Sequence, residues 1–140
     1  MSVKNPVAVV TGASSGTGAA AARQLRSGGA EVVVVGRDPT RTHAMADELG
    51  VRGVTADFTS LASVRRLAED LLGSEPRIDV LLDNAGAAVP ASRPTVDGNE
   101  PNYQVNALAP FMLITLLTPA LEQGGGGWSP RPPRPTARRV

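Results

Sequence analysis

The sequence predicts an α/β domain built on a doubly wound parallel sheet. Two observations carry that prediction. Short apolar runs rich in β-branched residues alternate with segments of helical periodicity. The first run leads into a glycine-rich turn, Thr11-Gly12-Ala13-Ser14-Ser15-Gly16-Thr17-Gly18, which opens the alanine-rich segment Ala19 to Gln24. Strands that alternate with helices pair in parallel through right-handed crossovers.

Val7 to Val10 is the first strand, a continuous apolar run suited to burial on both faces. The helix after the glycine turn spans about 16–27, and Gly28 and Gly29 stop it. Glu31 to Val35 places four valines in a row and reads as the second strand. Pro39 to Leu49 reads as a helix, with Pro39 in its first turn and Gly50 as its stop. Val51 to Thr55 is a short third strand, followed by Asp57. From Ser60 to Leu72, the residues Leu61, Val64, Leu67, Ala68 and Leu71 recur at helical spacing, and Gly73 ends the helix. Ile78 to Leu82 is the fourth strand, entering Asp83-Asn84-Ala85-Gly86. After a polar loop with Pro90, Pro94 and Gly98, Glu100 to Glu122 reads as a long helix. Pro110 should kink it, because proline lacks a backbone donor and clashes with the preceding turn. The helix is apolar nearly all round, so it expects partners on more than one side. Four strands in the order 3-2-1-4 make the first half of a Rossmann-type fold and the start of the second.

A strand, a glycine turn and a helix N-terminus in that order make a phosphate cradle. The turn leaves backbone N–H groups unpaired, the helix dipole adds partial positive charge, and glycines let a pyrophosphate approach. The spacing is G-x-x-x-G-x-G. It is not a nucleoside-triphosphate loop, which needs a Lys after the last Gly, where Ala19 stands. Dinucleotide binding is the functional reading of the turn; a purely structural turn is the other.

The bulk numbers exclude several classes. The chain has 140 residues, 41% hydrophobic and 19% charged, enough for one domain with a real core. A net charge of +1 makes no case for nucleic acid. There is no Cys, hence no disulfide framework or thiolate metal site, and the single His43 cannot build a metal cluster. The N-terminus lacks a signal-peptide pattern. No apolar run approaches the ~20 residues of a membrane span. The expectation is a cytoplasmic protein with no membrane partner.

After Gln123 the composition changes. Gly124 to Val140 holds four Gly, four Pro and four Arg, with almost nothing apolar. The domain is therefore expected over 1–123, and 124–140 reads as a disordered tail. A solvated tail and a basic segment for acidic partners are both open. The run also looks like GC-rich DNA read out of frame, so a frameshifted or truncated gene product is expected.

With these residues in place, the chain resembles the short-chain dehydrogenase/reductase family over residues 6 to about 122. Thr11 to Gly18 is similar to its T-G-x-x-x-G-x-G motif, and Asp57 stands where the family has an acidic residue after the third strand. Asp83 to Gly86 is similar to its N-N-A-G motif, with Asp for the first Asn, and Asn106 matches its active-site Asn. The finer likeness is to the branch of retinol-type and related bacterial reductases.

The resemblance implies roles. Gly12, Gly16 and Gly18, with Ser14, Ser15 and Thr17 of the same loop, would line the pyrophosphate and ribose. Asp57 would accept a hydrogen bond from the adenine amino group; otherwise it is a polar residue ahead of the Ser60 helix. Asn84, Ala85 and Gly86 would floor the cofactor ribose, or simply end the strand. Asn106 would hold a water linked to the catalytic Lys, or pack in mid-helix. NAD enzymes of this fold carry an acidic residue at the end of the second strand. Here the strand ends Val35-Gly36-Arg37, and Arg37 offers a planar, permanently charged fork to a 2′-phosphate. Arg41 adds charge and Ser14 a hydroxyl, while Asp38 could pair with Arg37 or take the NAD role. NADP(H) is therefore expected ahead of NAD(H).

The family's chemistry uses a Ser and a Tyr-x-x-x-Lys on a fifth strand and following helix. No such strand is evident after Gln123. The only Tyr, Tyr103, has Ala107 four residues on; the only Lys is Lys4; Ser129 lies in the tail with no strand to hold it. The implied activity is hydride transfer on a small-molecule carbonyl or alcohol, with this chain as an inactive cofactor-binding half. Two other readings stand beside it: a non-catalytic nucleotide-binding module and a nonfunctional fragment. An open fourth strand and an uncovered last helix lead us to expect self-association.

Overall fold

The computed structural model describes residues 5–86, 93–125 and 127–129. Strands β1 (Val7–Thr11), β2 (Glu31–Gly36), β3 (Arg52–Thr55), β4 (Val80–Leu82) and β5 (Gly127–Ser129) form one parallel sheet in the order β3-β2-β1-β4-β5. The predicted order 3-2-1-4 is its first four positions. Helices α1 (Gly16–Ser27), α2 (Pro39–Leu49), α3 (Leu61–Ser74) and α4 (Pro101–Gln123) cover it.

Strands β1 and β2 are buried on both faces, and the side chains of the sheet divide by the period of two. Val9, Val33, Val35 and Leu81 point into a cluster with Val64, Leu67 and Leu71 of α3 and Leu113 and Leu117 of α4. Ala8, Val10, Val32, Val34 and Leu82 meet α1 and α2 on the other face, largely through Ala19, Ala22, Met45 and Ala46. That second layer is alanine-rich, so α1 lies close against the sheet and its N-terminus is delivered to the end of β1.

Several expectations are corrected. Gly73 does not end α3, which runs on to Ser74; only the next residue, Glu75, leaves helical geometry. Gly73 is exposed, and nothing lies within 4 Å of where its side chain would be, so no packing opposes another turn. The tail is not without structure from its start. Gly124 follows α4, and Gly127–Ser129 pairs with β4 in the register Val80↔Gly127, Leu81↔Trp128, Leu82↔Ser129. So β4 is not an open edge, and Ser129 does belong to a strand. A three-residue strand next to glycines carries no periodic signal. Residues 130–140 and Pro90 lie outside the described residues.

Pro110 acts otherwise than by a plain kink. Residues Gln104–Leu108 of α4 form a π-helical turn, in which Ala109 N–H donates to the Gln104 carbonyl. The extra residue in that turn falls immediately ahead of the proline, where the ordinary ladder loses a donor. The expectation that no segment reaches the length of a membrane span is also corrected. By length and composition α4 is enough to cross a bilayer, its best window having a mean hydropathy of 1.5, with 44% of that window buried within the domain.

Leu117 is fully buried between α4 and the sheet. Leu117→Ala should cost about 2–5 kcal/mol through lost transfer energy and a residual cavity, read as a lower denaturation midpoint in urea at unchanged m-value.

Candidate functional site

The site lies at the carboxyl ends of β1, β2, β3 and β4. This is where a doubly wound sheet opens, because helices on opposite faces diverge there. A cleft of about 420 Å³ is lined by Gly12, Ser14, Ser15, Gly16, Thr17, Arg37, Asp57, Asn84, Ala85 and Gly86. All of these were anticipated from sequence. Gly18 is the exception among the cradle residues: it is buried one turn into α1, not in the lining. A Cβ there would run into the Gly12 carbonyl and come within 2.7 Å of the Asn84 side chain. Its role is close packing.

The glycine turn is held to β4 by side-chain chemistry. The Thr11 hydroxyl donates to Asp83 Oδ1 at 3.0 Å and accepts from the N–H groups of Asn84 and Ala85 at 3.1 and 3.0 Å. Gly12 has φ +63°, and a Cβ there would lie 2.9 Å from Ala85 Cα, so both conformation and space demand glycine. On the other side Ala13 N–H donates to the Val35 carbonyl at 3.1 Å. The turn is tied to both neighbouring strands.

The three helix N-termini near the cleft are treated differently. Asp38 caps α2, its Oδ1 accepting from Arg41 N–H at 3.0 Å. Ser60 caps α3 through Ser63 N–H, and Asp97 Oδ2 accepts from Leu61 N–H at 2.9 Å. At α1, Ser15 occupies the cap position but makes no side-chain cap bond, and the first turn carries no acidic residue. That helix end therefore presents N–H groups and its dipole to the cleft, which suits an anion.

At the opposite end, Arg37 follows Gly36 at the end of β2. Its side chain is 70% exposed, and its Nε lies 3.9 Å from Asp57 Oδ1. Asp57 Oδ1 also accepts from Thr59 N–H at 2.9 Å and the Thr59 hydroxyl at 2.7 Å. The plainer reading of Asp57, a turn former ahead of α3, is thus realised while the residue still lines the cleft. Asp38 is engaged with α2. Asn106 is exposed on the π turn and its Nδ2 donates to the Asn102 carbonyl at 2.9 Å. It is not in the lining, but a Cβ on Gly86 would come within 2.8 Å of Asn106 Oδ1, so it stands at the cleft's rim. Arg41 lies beside Ser14 in an adjoining groove.

Sequence reasoning missed Thr11 as a structural hub, and Phe58, Thr59 and Val105 as lining. Thr59 had a legible signal, since Asp-x-Thr ahead of a helix is an Asx-turn pattern. Phe58 and Val105 had none, being ordinary apolar residues until the fold brings them together.

The sequence model described as short chain dehydrogenase matches residues 6–128. A Streptomyces sp. (strain C5) protein named for daunorubicin C-13 ketoreduction is 43% identical over 122 residues, 83% of this chain and 42% of that protein. Retinol dehydrogenase 14 of Homo sapiens is 37% identical over 129 residues, 78% of this chain and 38% of that protein. The solved RhlG/NADP active-site complex of Pseudomonas aeruginosa superimposes with a TM-score of 0.74 at 35% identity, covering 88% of this chain and 50% of that one. The chain thus spans about two fifths of the length of these two curated relatives.

Burial pushes the Asp83 carboxyl above the usual carboxylate range, and the Thr11 hydroxyl offsets this only in part. A carboxyl whose pKa is raised by folding favours the folded state when protonated. That contribution is complete below the ordinary value near ~4 and is lost as pH rises through the raised pKa. Asp83→Asn keeps an acceptor for Thr11 and removes the buried charge. It should raise the melting temperature at pH 7, with the gain shrinking as pH falls through the raised pKa and gone below about 4; a gain that is independent of pH would contradict this.

Proposed function

This chain belongs to the short-chain dehydrogenase/reductase family, and from that premise we propose that it carries the cofactor-binding half of an NADP(H)-dependent oxidoreductase. The observation that carries the reading is the uncapped N-terminus of α1, opening on a turn in which Gly12 and Gly18 leave no room for a Cβ. A pyrophosphate fits there. Gly12, Ser14, Ser15, Gly16 and Thr17 would hold it, Asn84 to Gly86 would floor the ribose, and Asp57 would meet the adenine. When bound, NADPH supplies a hydride to a carbonyl carbon.

The preference for NADP(H) over NAD(H) rests on Arg37. At the end of β2 an NAD enzyme places a carboxylate for the ribose hydroxyls. Here Gly36 is followed by an exposed guanidinium; of the acids near it, Asp38 is engaged with the first turn of α2 and Asp57 with Thr59. Such a fork takes a phosphate through two parallel bonds. The RhlG structure is an NADP complex, which supports the same reading.

The substrate class is a small carbonyl or alcohol, and the setting is the cytoplasm. Within the 140 residues there is no Tyr-x-x-x-Lys, and Tyr103 is 57% exposed on α4, three residues before Asn106. Asn106 is the member of the family's catalytic set that the motif match names; Ser129 stands on β5, and the Tyr and Lys are absent. Nothing here donates a proton to a carbonyl, so this chain binds cofactor without turning it over. A non-catalytic nucleotide-binding module is the second reading, favoured by that same missing Tyr and Lys. Self-association belongs to the proposal through Phe111, 71% exposed on the outward face of α4.

Two experiments test this. In a fluorescence titration, Arg37→Ala should weaken NADPH binding about 10- to 100-fold, the range for a lost charge-assisted contact, and leave NADH nearly unchanged. Equal losses for both cofactors, or none, would remove the NADP(H) preference. Second, the chain purified by size-exclusion chromatography should reduce no aldehyde or ketone of a broad panel with NADPH. A partner chain carrying an in-frame family C-terminus should gain at least about 10²-fold. Equal rates would show that the absent Tyr and Lys are not decisive, and monomeric elution would remove the self-association.

A further inference from the structure

Three polar side chains are fully buried among the described residues: Thr11, Thr42 and Gln104. Thr11 ties β1 to β4. Thr42 donates to the Asp38 carbonyl at 2.6 Å, behind Gly36. Each supports one part of the cleft wall. Gln104, on the π turn of α4, is the one whose role the cofactor reading leaves unassigned.

Its carboxamide has two donors and two acceptor positions, and all four are used. Nε2 donates to the Phe58 carbonyl and to Asp97 Oδ2, both at 3.1 Å. Oε1 accepts from the Thr95 hydroxyl at 2.7 Å and from Asn99 Nδ2 at 3.0 Å. The polarity is fixed, because a carbonyl and a carboxylate can only accept, so the nitrogen must face them. These contacts join three segments. Phe58 follows Asp57 in the cleft wall, Thr95 to Asn99 is the loop ahead of α4, and Asp97 Oδ2 also takes the Leu61 N–H at the start of α3. Gln104 itself lies next to Val105, another lining residue, and two residues before Asn106.

We propose that Gln104 is a positioning residue for the adenine end of the cofactor cleft. It fixes the Asp57-Phe58-Thr59 turn against α4 and straps the loop 95–99 over the start of α3. A buried amide that is fully satisfied holds one geometry, since any displacement leaves a polar group unpaired in an apolar surrounding. Without it, the Phe58 carbonyl and the Asp97 carboxylate lose their common donor, and the wall that meets adenine is free to shift. The inference rests on the cofactor reading above.

The test measures affinity for adenosine 2′,5′-bisphosphate, which carries only the adenine end, by calorimetry on the full chain. Gln104→Leu removes all four bonds at similar volume. Gln104→Glu keeps the shape but turns an oxygen toward Phe58 and Asp97. Both should weaken binding about tenfold. Leu117→Ala, buried on the same helix and away from the cleft, should leave affinity within about twofold even though it melts earlier. Unchanged affinity in the Gln104 variants would overturn the proposal, as would an equal loss in Leu117→Ala. Should Gln104→Leu and Gln104→Glu fail to fold, Asn99→Ala decides. About a threefold loss there supports the proposal, and none overturns it. If the native chain binds neither the bisphosphate nor NADPH, the cofactor reading falls and this falls with it. Native binding with an indifferent Gln104 removes this proposal alone.

Discussion

The site depends on the seam where the end of β1 meets the end of β4. Two strands adjacent in the sheet but 72 residues apart in sequence are joined there by one hydroxyl. Thr11 accepts two backbone N–H groups of the Asn84 turn and donates to Asp83. The chain then passes so close that Gly12 admits no side chain beside Ala85, and Gly18 none beside the Gly12 carbonyl. Each hydrogen bond is worth only about 0.5–1.5 kcal/mol net. Their importance is geometric, since they fix the glycine turn and the Asn84 to Gly86 turn relative to one another.

The two faces of the sheet serve that seam differently. The α1–α2 face is packed with alanines, and small side chains let α1 approach so that its uncapped end reaches the turn. The α3–α4 face is packed with leucine, valine and phenylalanine, and supplies most of the apolar burial. A bulky residue at Ala19 or Ala22 would push α1 outward and move the helix end from the turn. The same exchange on the α4 side would cost stability but leave the cradle in place.

The polar groups on the α4 side form the second organising layer. A π turn ahead of Pro110 sets Gln104 and Val105 inward and leaves Asn106 at the rim of the cleft. The long helix is therefore more than cover for the sheet. Its widened turn is where the cleft wall, the loop before α4 and Asn106 come together.

Much of this was legible in the residues. Helices α1 and α2 fall at their expected limits because proline, an Asp cap and glycine stops act locally. Strands β1 and β2 were legible because apolar runs buried on both faces, such as the four valines of β2, have few other ways to be satisfied. The cradle residues could be named because a G-x-x-x-G-x-G turn between a strand and a helix has a direct physical use. What the residues by themselves did not determine is non-local. The helix through Gly73, the short β5, the lining by Phe58 and Val105, and the four bonds of Gln104 depend on which segments meet, not on any local pattern. A glutamine reads as a surface residue until the fold removes its water and surrounds it with two acceptors and two donors. The sequence determined most of the elements and the glycine turn through local sterics and periodicity. The tertiary structure alone decided which polar groups became buried, because desolvation is a property of the packed neighbourhood and not of the residue.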